Sequence, residues 1–277
     1  MASMSTLRSP RIGLFDSGIG GFTVLRHVLE ACPGVPCVYF GDLKHVPYGR
    51  RELPEIRSIA ADIIRFLESQ GCTHLAVACN TSTAALMGER PPTALPAVDV
   101  IEPLGSWIAE RARTRRVGVV ANPTTANRGI HAQVLQATHP GLEVTTQGAP
   151  TLVDLLESHA PESAVDAAVA EAVAPLIDAG VQAVVYGCTH YPLARPSFER
   201  ALGPAVELVD TGWLVAQRLA TLIRSAGSDR PGRVEFITSA PSTDFERWIG
   251  DLFPADLQWS LRVEELWPAV AEQSSCS

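Results

Sequence analysis

Short apolar runs alternate along the chain with longer segments whose apolar residues recur at helical spacing. The short runs predict β-strands at residues 11–15, 38–40, 75–78, 117–120, 183–186 and 234–238. The longer segments predict amphipathic helices at residues 22–31, 53–70, 165–179 and 213–225. Gly71 and Gly180 each follow one of these helices and are natural helix stops. Strands that alternate with helices predict an α/β fold, with parallel sheets covered by helices on both faces.

One arrangement of these elements occurs twice. Gly71 precedes Cys79 by eight positions (79 − 71), and Gly180 precedes Cys188 by eight (188 − 180). In both copies the order is amphipathic helix, glycine, apolar strand, cysteine, and a helix start that contains threonine. The order predicts two similar doubly wound parallel-sheet halves that face each other across a cleft. The alternative explanation is that all βα units resemble one another.

The length of 277 residues suits one large or two ordinary domains. We expect the first α/β domain to contain residues 1–101 and 210–277, and the second to contain residues 102–209. The chain is expected to return to the first half because a further helix and a further strand, at 234–238, follow Asp210.

Composition and charge narrow the possible functions. Apolar residues make up 46% of the chain and charged residues 19%, as in a folded globular protein. The net charge of −8 argues against a nucleic-acid partner, and the absence of a long apolar run argues against a membrane span. Residues 1–10 lack the apolar core of a secretory signal, so we expect a cytoplasmic protein with reduced cysteines. Cys276 lies in a polar tail, residues 272–277, that we expect to be mobile.

Polar residues cluster where the predicted strands end. The clusters are Asp16-Ser17-Gly18, Gly41-Asp42, Cys79-Asn80-Thr81, Asn122 to Thr125, Gly187-Cys188-Thr189-His190 and Asp210-Thr211-Gly212. Ligands of open α/β sheets bind beyond the carboxyl ends of the strands. The clusters therefore predict one site for a small molecule at this edge.

Cys79 and Cys188 are the strongest candidates for chemistry, because each follows a strand and is expected to begin a helix. The helix dipole favours a thiolate at that position by lowering the pKa of the thiol. A thiolate on one face of an amino acid and a thiol on the other can remove and return its α-proton without a cofactor. The pair therefore predicts a two-base racemase. The alternative is that both are buried structural cysteines.

His190 and Asp16 are candidates to accept a thiol proton or to orient it. Cys188 and His190 are also compatible with two other hypotheses, a metal site and a hydrolase. A metal site at this pair, or at the similar pair Cys72 and His74, would need further ligands that the sequence does not place. A cysteine–histidine hydrolase would leave Cys79 unexplained.

The turn at residues 16–21 resembles a dinucleotide-binding fingerprint, with Asp42 in the place of the ribose-binding acid. The match fails because Thr23 stands where the third glycine is required. We interpret the turn instead as the start of a helix whose N–H groups bind a carboxylate, with help from the Ser17 hydroxyl.

Together these motifs resemble the glutamate racemase family of the aspartate/glutamate racemase superfamily. The motifs, in family order, are Phe15 to Gly21, Gly41-Asp42 with Pro47-Tyr48-Gly49, Cys79-Asn80-Thr81, and Gly187 to Pro192. They lie between about residues 11 and 212. The resemblance implies racemization of L- and D-glutamate for peptidoglycan, with no pyridoxal phosphate or other cofactor and no metal. It implies two α/β domains with pseudo-twofold symmetry and a small-molecule amino-acid substrate, and it allows a homodimer.

The resemblance also implies roles for individual residues. Cys79 and Cys188 would be the two acid–base residues, assisted by Asp16 and His190, with Asp42 and Glu157 in support. The substrate carboxylates and amine would be held by Ser17, Tyr48, Gly49, Asn80, Thr81, Thr125 and Thr189.

The chain departs from the family pattern at several positions. Asn122 and Thr124 stand where the family usually has threonine and glycine, Leu104 replaces a small residue, and Asp210 opens an altered segment. The change near Asn122 could reshape the pocket. It keeps open racemization of aspartate or another amino acid, or cofactor-free decarboxylation. A non-catalytic protein that binds a small ligand is the third alternative.

Overall fold

The computed structural model describes residues 9–88, 93–223 and 232–267. The described strands are β1 (Ile12–Asp16), β2 (Cys37–Gly41), β3 (His74–Val77), β4 (Ala97–Asp99), β5 (Arg116–Ala121), β6 (Glu143–Gly148), β7 (Ala183–Gly187), β8 (Glu207–Val209), β9 (Val234–Thr238) and β10 (Trp259–Val263). The described α-helices are α1 (Phe22–Ala31), α2 (Leu53–Ser69), α3 (Asn80–Leu86), α4 (Pro103–Ala109), α5 (Pro123–Arg128), α6 (Ile130–Thr138), α7 (Leu152–Glu157), α8 (Glu162–Asp178), α9 (Arg195–Leu202), α10 (Thr211–Leu222) and α11 (Thr243–Leu252). The predicted tail with Cys276, and the end of the helix predicted at 213–225, lie outside the described residues.

The strands form two parallel sheets. The first has the order β10-β9-β2-β1-β3-β4 and the second the order β6-β5-β7-β8. The run β2-β1-β3-β4 therefore matches the whole second sheet, strand for strand. Cys79 follows β3 and Cys188 follows β7, so the two cysteines lie after equivalent strands. The predicted fold of two similar parallel-sheet halves is confirmed.

The chain passes between the two sheets twice. It leaves the first sheet after β4 and returns through β9, which pairs with β2 in parallel register. The expected return of the chain to the first half is therefore present. The domain limits near residues 101 and 209 fall in the two connections, and they stay a prediction.

The core of the first half is built around Phe22 of α1, which is fully buried. Its ring lies 4.9 Å from the rings of Tyr39 and Phe245 and 5.3 Å from that of Phe236. Each buried aromatic side chain of this kind contributes roughly 1.5–3 kcal/mol through area burial. This packing fixes α1 and α11 on one face of the first sheet.

The two halves share part of their hydrophobic core. A single buried cluster includes Leu14 of the first sheet, Val119 and Val185 of the second, and Val215 of α10. Helix α10 packs mainly against α1 and also against α4. The two halves are therefore packed directly against each other through this cluster.

Several elements are absent from the sequence prediction or differ from it. Strands β4 and β8 have three residues each and lie at sheet edges, so they show no clear apolar run. Cys188 was expected to begin a helix, but residues 188–190 form a turn, followed by a 3₁₀ turn (Tyr191–Ala194) and then α9. Among the described residues, no helix is long and apolar enough to cross a membrane.

Candidate active site

A cavity of about 500 Å³ lies between the two halves at the carboxyl ends of both sheets, and both cysteines border it. Of the residues predicted from the sequence, those that border the cavity are Asp16, Ser17, Tyr48, Gly49, Cys79, Asn80, Thr81, Glu157, Cys188, Thr189 and His190. Asp42 and Thr125 are buried just behind this lining. Most of the predicted residues thus meet in one place.

Cys79 is the N-cap residue of α3. Its Sγ accepts a hydrogen bond from the Ser82 backbone N–H at 3.5 Å and lies 4.0 Å from Ser17 Oγ. Burial and the negative charge of Asp16 raise the pKa of this thiol to about 12. The hydrogen bonds with Ser82 lower the pKa, but by a smaller amount. The expectation that the helix start lowers the pKa of Cys79 is therefore wrong for the free protein. Desolvation of a buried thiolate outweighs the dipole of a short helix.

Asp16 ends β1 and is almost completely buried. Its carboxylate accepts hydrogen bonds from the Gly18 backbone N–H at 2.8 Å and from Thr189 Oγ1 at 3.2 Å. Burial raises the pKa of Asp16, while the charge of His190 opposes that rise. The bond to Thr189 crosses from one half to the other, so Asp16 links the end of β1 to the turn that carries Cys188.

Cys188, His190 and Glu157 form a chain of polar contacts in the second half. His190 Nδ1 lies 3.7 Å from Cys188 Sγ, and its Nε2 lies 2.7 Å from Glu157 Oε1. Burial alone would lower the pKa of His190, but its contacts with Cys188 and Glu157 raise it well above the ordinary value. The charge of His190 correspondingly lowers the pKa of Glu157, although burial acts in the opposite direction.

The two sulfurs therefore have opposite electrostatic surroundings. A protonated His190 stabilises a thiolate at Cys188, whereas the carboxylate of Asp16 favours the neutral thiol at Cys79. Cys188 thus has an imidazole as its nearest ionisable neighbour, whereas the charge of a carboxylate acts on Cys79. Both sulfurs border the same cavity.

Two glycines in the turn after β1 allow neighbouring side chains to approach closely. A Cβ atom at Gly20 would lie 2.5 Å from His190 Nδ1 and from Thr189 Oγ1. A Cβ atom at Gly21 would lie 2.6 Å from the hydroxyl oxygen of Tyr39. Gly20 thus makes room for Thr189 and His190 of the second half, and Gly21 makes room for the Tyr39 side chain of the first half.

Asp42 supports the loop that carries Tyr48. Its carboxylate accepts hydrogen bonds from Tyr48 Oη at 2.6 Å and from Ser239 Oγ at 2.7 Å, and it lies 2.9 Å from His45 Nδ1. Tyr48 borders the cavity, whereas Asp42 does not. The structure therefore places Asp42 beneath a cavity residue.

Asn122 and Thr124, two of the residues that depart from the family pattern, contact the first half. Asn122 caps α5 by accepting from the Thr125 N–H at 2.9 Å, and its Nδ2 donates to Thr81 Oγ1 at 3.3 Å. Thr124 Oγ1 donates to the Gly49 carbonyl at 2.6 Å. Thr125 Oγ1 lies 3.4 Å from Thr81 Oγ1. The second half thus contacts both the Tyr48–Gly49 loop and the start of α3.

One wall of the cavity was not foreseen from the sequence. It comes from the start of α11 and contains Ser242, Phe245 and Trp248. The ring of Trp248 stacks on His159 of the second half, with centroids 4.2 Å apart. The spacing of Phe245 and Trp248 marks a helix face, but only the pairing of β9 with β2 brings that face to the site.

The described residues provide no ligand set for the metal site that was considered as an alternative. Within the described ranges, no three His, Cys, Asp or Glu side chains come together as a metal site. Cys188 and His190 face each other, and the second ring nitrogen of His190 contacts Glu157.

Similarity to known proteins extends over both halves. Residues 12–219 match the family model described as Asp/Glu/hydantoin racemase. The chain is 41% identical over 225 residues to a glutamate racemase of Desulforudis audaxviator, a match that covers 80% of this chain and 82% of that protein. It is 37% identical over 267 residues to a glutamate racemase of Roseiflexus sp., covering 95% and 97%. The crystal structure of glutamate racemase from Francisella tularensis in complex with D-glutamate superposes with a TM-score of 0.82 at 26% identity, over 94% of this chain and 99% of that one.

Proposed function

Since this chain belongs to the glutamate racemase family, and is thereby an amino-acid racemase, we propose that it interconverts L- and D-glutamate by proton transfer through Cys79 and Cys188. The observation that carries the mechanism is the position of the two sulfurs. They follow equivalent strands of two similar halves and border the same cavity. A carbon bound between them has one sulfur on each face.

Each turnover moves one proton on and one proton off the α-carbon. The thiolate of one cysteine removes the α-proton and becomes a thiol, leaving a carbanion that is stabilised by the neighbouring carboxylate of the substrate. The thiol of the other cysteine then protonates the opposite face and becomes a thiolate. In this proposal His190 stabilises the thiolate at Cys188, and Asp16, whose charge acts on the Cys79 thiol, takes part in proton exchange there.

Polar groups from both halves are proposed to hold the substrate. Backbone N–H groups at the start of α3, together with Thr81, supply donors on one side of the cavity. Tyr48, Gly49 and Thr189 supply polar groups on other sides. The D-glutamate named for the Francisella protein supports a dicarboxylic amino acid as the ligand.

Asn122 and Thr124 favour a second candidate, which is racemization of a different amino acid on the same scaffold. Both side chains border the cavity, and both differ from the usual family residues. A panel of amino acids assayed with the purified enzyme separates the two candidates. A clear preference for aspartate or another substrate over glutamate would replace glutamate in the proposal.

The direct test of the activity is exchange of the α-hydrogen with solvent. In deuterium oxide, with no added cofactor, each enantiomer of glutamate is expected to gain α-deuterium while its circular dichroism decays. Mass spectrometry and polarimetry measure the two processes on one sample. Absence of both with L- and D-glutamate would refute the proposed activity.

The cysteine assignment has its own test in two matched substitutions. Cys79→Ser is expected to lower kcat by at least roughly a hundredfold, because general acid–base catalysis typically contributes that much. Cys32→Ser is the control, since Cys32 is another buried cysteine and does not border the cavity. Equal effects of the two substitutions on kcat would remove Cys79 from the mechanism.

We also propose, from the family resemblance, a cellular setting for this activity. The D-glutamate would supply peptidoglycan synthesis in the cytoplasm, and the enzyme would work as a homodimer. Sedimentation of the purified protein checks the last point.

A further inference from the structure

His131 makes an unassigned contact at the edge of the site. It lies in the first turn of α6, in the second half, and only 1% of its surface is exposed. Its Nε2 is 2.9 Å from Oδ1 of Asn80, which belongs to α3 in the first half. Because an amide oxygen only accepts hydrogen bonds, the proton of this contact is on Nε2 of His131.

The imidazole is suited to a fixed donor rather than to proton transfer. Burial lowers the pKa of His131 to about 4, so the ring is neutral through the range in which an enzyme of this kind is assayed. A neutral imidazole carries a single N–H, and here that N–H is committed to Asn80. The direction of the Asn80 amide is therefore set from the opposite half of the molecule.

The other end of the Asn80 amide has no such partner. Asn80 is 3% exposed and borders the cavity, and its Nδ2 has no hydrogen-bond partner among the residues that the structure describes. A buried donor without a partner is unfavourable, and native proteins seldom retain one without a reason. With its oxygen held by His131, Asn80 keeps its NH₂ group available to an acceptor in the cavity.

We propose that His131 is a positioning residue for substrate binding: it holds the amide of Asn80 so that Nδ2 donates to a carboxylate oxygen of the bound amino acid. This inference rests on the proposed function. It assigns to α6 of the second half a part in binding by α3 of the first half. Substrate recognition at Asn80 thus depends on contact between the two halves.

The test compares substitutions that keep or remove the donor. His131→Leu removes it, and His131→Gln supplies an N–H in its place. His139→Leu is the matched control, because it makes the same change at the other end of α6, at the contact with Arg115. The measurements are KM and kcat for both enantiomers, and the rise in melting temperature that D-glutamate produces.

We expect His131→Leu to raise KM about tenfold, as for the loss of one hydrogen bond to a charged group, with a smaller change in kcat. The stabilisation by D-glutamate should fall in parallel. His131→Gln should recover most of both, and His139→Leu should match the wild type. If His131→Leu does not fold, His131→Asn replaces it, because its shorter side chain does not reach Asn80.

Asn80→Asp distinguishes a role of His131 in positioning the Asn80 amide from a purely structural role of His131. Aspartate keeps the oxygen but replaces the NH₂ group, so His131→Leu should add little to KM in that background. Equal KM and equal D-glutamate stabilisation in wild type and His131→Leu, or no difference between Gln and Leu at position 131, would overturn the inference. Wild-type protein that binds D-glutamate without racemizing it would refute the proposed function instead, and the comparison of melting temperatures would still decide the role of His131.

Discussion

The contact between Glu157 and His190 gives the sharpest prediction. Glu157→Gln replaces the carboxylate by a neutral amide of the same shape, 2.7 Å from His190 Nε2. The carboxylate is one of the groups that keep His190 protonated beside Cys188. Its removal should therefore weaken the stabilisation of the Cys188 thiolate without changing the volume of the cavity.

The size of the effect follows from exposure and charge. A hydrogen bond to a charged group contributes about 1.5–3 kcal/mol. The Glu157 side chain is 45% exposed, so solvent screening reduces this figure to about 1–2 kcal/mol. We expect kcat/KM to fall roughly five- to thirtyfold.

The pH profile separates this explanation from a general loss of structure. Since Glu157 raises the pKa of His190, the imidazolium of the variant is lost at a lower pH than in the wild type. The basic limb of kcat/KM against pH should therefore move to lower pH, which circular dichroism of glutamate solutions measures. The two enantiomers have equal free energy in water, so kcat/KM must fall equally in both directions.

Glu162→Gln is the control, because Glu162 is an exposed residue at the start of α8 that pairs with Arg200. It should leave the rate and its pH dependence unchanged. A basic limb that stays in place in Glu157→Gln, despite normal folding, would refute the role assigned to the Glu157 carboxylate.

Two further predictions concern contacts between elements. Thr124→Val removes the hydroxyl that donates to the Gly49 carbonyl at 2.6 Å, a bond that contributes about 0.5–1.5 kcal/mol. KM should therefore rise up to about tenfold, while Thr124→Ser should stay near the wild-type value. An unchanged KM in the valine variant would contradict this prediction. His27 contacts Asp210 at 3.0 Å, and although burial lowers its pKa, that contact raises it above the ordinary 6.5. The stabilisation is therefore complete below pH 6.5 and is lost as the pH rises through the higher pKa of the folded protein. Urea unfolding of wild type and His27→Gln should show a difference of about 1 kcal/mol at pH 6 that shrinks at alkaline pH, whereas a constant difference would refute the assignment.

The central strands and long helices were predictable from local pattern. Apolar side chains of β1 and β3 are buried on both faces, which produces continuous apolar runs in the sequence. The limits predicted for α1 agree with the structure, and Gly71 has the positive φ, +77°, that stops α2. Edge strands such as β4 are too short and too mixed in composition to give the same signal.

The candidate site was predictable where its residues follow strands, and less so where they come from elsewhere. Cys79 and His190 are found from their strand-end positions alone. Trp248 and His131 lie on helices, where nothing local distinguishes a cavity residue from an ordinary buried one. The pKa of Cys79 was predicted in the wrong direction because the sequence does not show how completely Asp16 and the thiol are buried.

The pairing of β2 with β9 has a consequence for how the protein is made. Cys37 pairs with Val234, 197 positions later in the chain (234 − 37), whereas the second sheet uses one continuous stretch from β5 to β8. During synthesis the second half can therefore finish folding while β2 still has an open edge, ready to pair with other chains. Helix α11, with the cavity wall at Phe245, emerges later still. We expect a nascent chain released before β9 to aggregate rather than to form a smaller enzyme.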